Sequence, residues 1–222
     1  DHRDLHSFPT RRSSDLDEIT DNMIADYQYM LNMPVSEMDS KYKLKGMLSL
    51  LKFAKEVETD NPDAEKFSAY TLRTMDENYM LEDILFYGIE PDSRYVSLKL
   101  SDDDAAISSA YASKFGLSIG DSITLKEKYE DKTYSFTVTQ IYPYDASLVV
   151  FLSRDHLNDV FDLGKDMFGG YFSSSEITDI DDKYIGSVID LEALTKMTRQ
   201  MEISMGGMMW LVSFFAVLMF AV

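Results

Sequence analysis

Apolar and polar positions alternate with a period of two from Asn22 to Met33, where Tyr27, Tyr29, Leu31 and Met33 interleave with Gln28, Met30 and Asn32. Successive strand side chains point to opposite faces, so the period predicts a strand, with Pro34 ending it. Between Lys41 and Glu56 the period changes. Leu44, Met47, Leu48, Leu51 and Lys55 recur in steps of three and four, which predicts an amphipathic helix weakened by Gly46. Asp60-Asn61-Pro62-Asp63 is a turn cluster. Strands are predicted over Ala64–Thr74, where Tyr70, Thr71 and Thr74 favour extended backbone, over Asp83–Ile89, and over a short Arg94–Leu98. Ala105 to Ser108 is extended. Ser109 then caps a brief helix, Ala110 to Phe115, with Gly116 as its left-handed stop.

Further on, Ser122–Lys128 and Thr133–Ile141 alternate cleanly and form a hairpin. Leu148–Leu152 is a continuous apolar run, the pattern of a strand buried on both faces. Ser153 caps a helix reaching Phe161, and Gly169–Ser173 and Tyr184–Val188 supply the last strands. The expected class is therefore α+β: a mixed β-sheet domain with short helices, followed by one long helix. That helix starts at an Asp190 cap. Leu194, Met197, Met201, Met205, Met208 and Val212 recur along it at steps of three and four, with no proline.

Charge ceases after Glu202. Met205 to Val222 contains no charged residue over eighteen positions, eight of them Leu, Val or Phe. At about −0.3 to −0.6 kcal/mol for each such residue near a helix centre, these favour membrane insertion by roughly 2.4 to 4.8 kcal/mol. A spanning helix needs roughly 20 apolar residues. The run is expected to be the opening of a transmembrane helix, with Met208, Trp210, Leu211, Phe214, Phe215 and Leu218 among its transmembrane residues. A core helix is the alternative, but one of this length normally keeps a polar stripe. The expected organisation is an extraneous segment at 1–16, a folded domain at 17–189, and a stalk at 190–222 that becomes the truncated membrane helix.

The segment Asp1 to Leu16, DHRDLHSFPTRRSSDL, lacks the apolar stretch of a signal peptide. It resembles the translation of a widely used short-read sequencing adapter along its whole length, and is expected to be disordered and foreign to the fold. A native basic arm around Arg11-Arg12 is the rival reading.

Composition narrows the chemistry. There are 39 acidic residues against 21 basic ones, a net charge of −18, which opposes a nucleic-acid role. The chain has no cysteine, so disulfides, cysteine-ligated zinc and cysteine nucleophiles are all excluded. Past Leu16 the one histidine is His156, in the helix SRDHLNDVF beside Asp155 and Asp159, and no G-x-S-x-G accompanies it. Asp102-Asp103-Asp104 and Asp179-Ile180-Asp181-Asp182 invite a calcium reading. An EF-hand loop starting at Asp179 fails, with Lys183 at position 5, Tyr184 in place of Gly at position 6 and Asp190 in place of Glu at position 12. Solvated loops are the plainer account. No P-loop and no dinucleotide fingerprint occurs. The 14 methionines lie mostly at helical spacing or in the apolar run, where they fill apolar surface and need no soft metal. No cofactor and no catalytic residue is expected.

Several stretches carry a family resemblance: YGIEPDSRY (Tyr87–Tyr95), ISSAYASKFGLSIGDSITL (Ile107–Leu125), YSFTVTQIY (Tyr134–Tyr142) and VVFLSRDHLNDVF (Val149–Phe161). In this order, before a stalk helix, they resemble the extracytoplasmic MacB-type core domain of FtsX-like ABC transporter permeases. DYQYMLNMP (Asp26–Pro34) and AEKFSAYTL (Ala64–Leu72) resemble the large permeases of low-GC Gram-positive bacteria. Lys41 to Glu56 looks like an insertion relative to the family pattern. The resemblance implies a non-catalytic membrane subunit, with 17–189 outside the cytoplasm. It implies as partners a separate cytoplasmic ABC ATPase subunit, a second permease half or subunit, and membrane lipid. ATP-driven motion would pass along a coupling stripe of Leu194, Met197, Met201 and Met205 to a domain handling a lipid, lipoprotein or peptide. A membrane-anchored cell-surface binding protein shares the same bulk features and stands as the alternative.

Overall fold

The computed structural model describes residues 23–36, 56–75, 81–197, 199–201 and 204. Asn22–Ile189 is one compact unit, and the helix that begins after Asp190 belongs to another and is described by itself. The unit contains β1 (Tyr27–Ser36), β2 (Glu65–Thr74), β3 (Asp83–Ile89), β4 (Ala105–Ser108), α1 (Ser109–Phe115), β5 (Ser122–Lys126), β6 (Thr133–Tyr142), β7 (Val149–Ser153), α2 (Arg154–Val160), β8 (Met167–Ser173), a 3-10 turn (Asp182–Tyr184) and β9 (Ile185–Asp190). The result is a mixed α+β architecture.

Strand β2 organises the sheet. Its first residues pair with β8, Glu65 opposite Phe172. Ser68 to Arg73 pair with β3, and Arg73 and Thr74 also pair with β5. From β3 the ladder continues through β7, β4 and β6 and returns to β5. Six strands thus close on themselves as a small barrel, and β8, β1 and β9 extend from β2 as a wing. The β3–β7 and β4–β6 pairs are parallel and the others with a recorded register are antiparallel.

Closure explains the apolar runs. Ile84, Phe86, Ile107, Ile123, Leu125, Val138, Val150 and Leu152 fill the barrel, joined by Tyr111 from α1, Leu157 from α2 and Phe161 at its C-terminal cap. The opposite faces of β3, β7 and β4 present Tyr87, Ile89, Val149, Phe151 and Ala106 to a second core with Phe67 and Phe172. Phe67 stacks on Phe172 at 4.3 Å between centroids and meets Tyr87 edge-on at 5.3 Å. Strand β7 is therefore buried at every position, as its unbroken VVFL predicts. Gly170 allows β8 to pass over this core. A Cβ there would stand 2.1 Å from the Tyr29 carbonyl oxygen and 2.5 Å from Cζ of Phe67.

Three local expectations are corrected. Pro34 does not end β1, which continues to Ser36; its register against β8 shifts between Met30 and Val35, and that irregularity accommodates a residue without an N–H. Arg94–Leu98 is a loop, not a strand. Its alternation arises because Val96 and Leu98 tuck into the second core while Ser93 Oγ accepts from the backbone N–H groups of Tyr95 and Val96. The cap of α1 is Ser108, not Ser109. Ser108 Oγ accepts from Tyr111 N–H at 3.2 Å, while Ser109 Oγ donates to Asp145 Oδ1 and accepts from Tyr144 N–H. Gly116, at φ 65°, stops α1 as predicted, and Ser153 caps α2. Of the helix expected over Lys41–Glu56, only Glu56 lies among the described residues.

Candidate functional site

The coupling helix is the first candidate. Asp190 is both the last residue of β9 and the cap of the following helix, its Oδ1 accepting from Ala193 N–H at 3.0 Å. Residues 191–197 and 199–201 are helical. A Glu192–Lys196 ion pair at 2.5 Å braces one exposed side, four residues apart. Leu194, Met197 and Met201 are 39%, 58% and 55% exposed, an apolar stripe open to solvent. Met205 and the expected membrane residues Met208, Trp210, Leu211, Phe214, Phe215 and Leu218 lie outside the described residues, as does Asp1–Leu16. Among the described residues no helix is long and apolar enough to cross a membrane.

His156 is the second. It is half-buried on α2, between two open depressions. One, about 500 Å³, is lined by Asp102, Asp155, Asp159, Asp162 and Lys165. The other, about 330 Å³, has Asp103, Asp104 and Tyr134 on its walls. The neighbouring Ser153 hydroxyl caps the helix, accepting from His156 N–H at 3.2 Å. Asp104 accepts from Ser101 N–H at 2.7 Å, and that bond holds its carboxyl below the usual carboxylate range. Asp102, Asp103, Asp155, Asp159 and Asp162 are exposed, and their carboxylates bond to no described residue. Among the described residues no cluster of three or more His, Asp or Glu has the geometry to hold a metal ion.

The second acidic stretch behaves differently. Asp179 accepts from Thr59 Oγ1 and from Asp60 N–H, each at 2.7 Å, and the Thr59 hydroxyl is the main cause of its lowered pKa. Ile180 is buried, and Asp181 closes the 3-10 turn by accepting from Lys183 N–H and Nζ. These residues belong to a polar junction that sequence reasoning missed. Asn61 Nδ2 donates to Ser175 Oγ and to the Glu176 carbonyl. Ser175 Oγ donates to Asp63 Oδ2 at 2.8 Å, and Tyr95 Oη donates to the Asp63 carbonyl at 2.6 Å. Glu65 accepts from Ser93 Oγ and from Arg94 N–H. The turn signal at Asp60–Asp63 was legible; its partners more than a hundred residues away were not.

Tyrosines complete the inventory. Burial pushes the Tyr111 phenol up to about 12. Tyr87 is raised for the same reason, with its Oη accepting from Gln28 Nε2 inside the second core. Tyr70 is raised by burial and by donating to Glu127 Oε1 at 2.7 Å.

No protein-family model matches the chain, and no curated protein does. Among solved structures, it is similar to the extracellular domain of the noncanonic ABC-type transporter YknZ from Gram-positive bacteria. That likeness has 13% identity and a TM-score of 0.39, covering 68% of this chain and 84% of that one. It is also similar to the periplasmic region of MacB from Actinobacillus actinomycetemcomitans, with 10% identity and a TM-score of 0.37, covering 83% of this chain and 98% of that one.

Proposed function

We propose that this chain is part of the membrane permease subunit of an ABC transporter, with residues 17–189 outside the cytoplasm and residues 190–222 forming a stalk that enters the bilayer. The subunit is non-catalytic, and ATP is hydrolysed by a separate cytoplasmic ATPase. The observation that carries the reading is the exposed apolar stripe of Leu194, Met197 and Met201 on the helix that Asp190 caps. A helix rises about 1.5 Å per residue and transmits displacement along its axis. The exposed Leu194, Met197 and Met201 fit a partner stalk helix from a second permease half or subunit. The sequence resemblance supplies the cargo class: a lipid, lipoprotein or peptide moved out of or away from the membrane.

The test replaces Met201 in the transporter assembled with its ATPase. Met201→Pro removes a helical hydrogen bond and costs about 3 kcal/mol locally, outside the apolar run. The variant is expected to insert into membranes normally and to lose most transport-linked ATP turnover. Normal coupling in that variant would refute the stalk mechanism.

A further inference from the structure

Strand β9 is the terminal strand of the wing, bonded to β1 on one side only. At the other end of the strand order the sheet closes on itself through β3 and β2, so β9 carries the open edge among the described strands. Such edges are usually blunted by lysine, proline or a bulge. Ile185-Gly186-Ser187-Val188-Ile189 has none of these, and Gly186, Ser187 and Val188 are exposed. The nearby proline and irregularity lie in β1, one strand inward.

We infer that β9 pairs antiparallel with β9 of a second copy of this chain, about a two-fold axis at Ser187. The register explains the residues. Ser187 faces Ser187 of the second copy. Ile185 lies opposite Ile189 of the second copy, an apolar cross-strand pair on the half-buried face. On the other face Val188, 45% exposed, lies opposite Gly186 of the second copy, which carries no side chain of its own. A two-residue change of register would set Val188 against Val188 and Gly186 against Asp190, losing the match of large to small. The two-fold also brings the Lys183 end of each strand to the Asp190 end of the other. Against this stands the −18 charge of each chain, so pairing strengthens as salt screens the repulsion.

The absence of cysteine makes a clean test possible. Opposed antiparallel residues have Cα atoms about 4.5 to 5.5 Å apart, inside the range a disulfide spans. Ser187→Cys is introduced into the full chain in detergent micelles at about 1 M salt, where the Debye length is about 3 Å. Thr178→Cys, at another exposed position, measures random collision. Under mild oxidation Ser187→Cys is expected to give at least about tenfold more disulfide-linked dimer than Thr178→Cys, as a preformed pair requires. Adding Val188→Lys, which places a charge on the edge at a solvent-exposed position, should return the yield to the Thr178→Cys level with an unchanged melting curve. Equal cross-linking of the two cysteine variants, or insensitivity to Val188→Lys, would overturn the proposal.

Discussion

Two acidic regions that look alike in one dimension behave in opposite ways in three. Asp102-Asp103-Asp104, Asp155 and Asp159 of α2, and Asp162 just beyond it surround His156 with exposed charge, and apart from Asp104 they bond to no described residue. Asp63, Glu65 and Asp179, together with Asn61, act as fasteners between segments 59–65, 93–96 and 173–179. A carboxylate becomes structural when the fold delivers donors to it, here the backbone N–H groups of Asp60 and Arg94 and the hydroxyls of Thr59, Ser93 and Ser175. Local acidity does not distinguish the two cases, because the donors to the fasteners are mostly distant in sequence.

The comparison breaks most visibly at Glu65, whose side chain is only 10% exposed. Glu65→Ala leaves Ser93 and Arg94 N–H without their acceptor, and hydrogen bonds to charged groups contribute about 1.5 to 3 kcal/mol. A loss of about 2 kcal/mol in urea unfolding is expected, and a change within about 0.5 kcal/mol would show that the junction does not stabilise the fold. Acid sharpens the contrast at a smaller scale. Asp179 has a folded pKa below its unfolded value of about 3.9, so its contribution is full above that value and lost as pH falls through the folded pKa. Asp179→Asn should therefore destabilise by about 0.5 to 1 kcal/mol near neutrality, discounted for exposure, and should flatten the stability profile below about pH 4. An unaltered acid limb would assign that limb to other groups. The smallest effect belongs to the carboxylates beside His156. Asp155→Asn, Asp159→Asn and Asp162→Asn together should leave stability within about 0.5 kcal/mol or raise it slightly, by relieving like-charge repulsion. A marked destabilisation would mean that these carboxylates are bonded after all.

Much of the fold was legible because it rests on local rules. The β5–β6 hairpin, the uniformly buried β7, the Gly116 stop, the Ser153 cap and the Asp190 cap all follow from side-chain period or from the needs of helix ends. Where two neighbours compete for the same local role, the outcome was not legible. Ser108 and Ser109 are equally good caps in sequence, and Ser109 was drawn away by Asp145 and Tyr144. Pro34 was read as a strand end because the rule assumes a regular ladder; a register irregularity removes that assumption. At the candidate sites, the spacing of Leu194, Met197 and Met201 was visible in sequence, whereas the fastening role of Asp179 was not.

The sequence by itself determined most of the described strands and the two short helices, the apolar character of β3, β4 and β7, and the −18 charge, since these depend on neighbours a few residues apart or on composition alone. Tertiary structure alone decided that six strands close into a barrel and that β9 is left as its wing's open edge. It also decided which carboxylates find donors. The physical reason is range. A hydrogen bond or a strand pair acts over a few ångströms in space, and the residues it joins here are as far apart as Thr59 and Asp179, a separation no periodicity records.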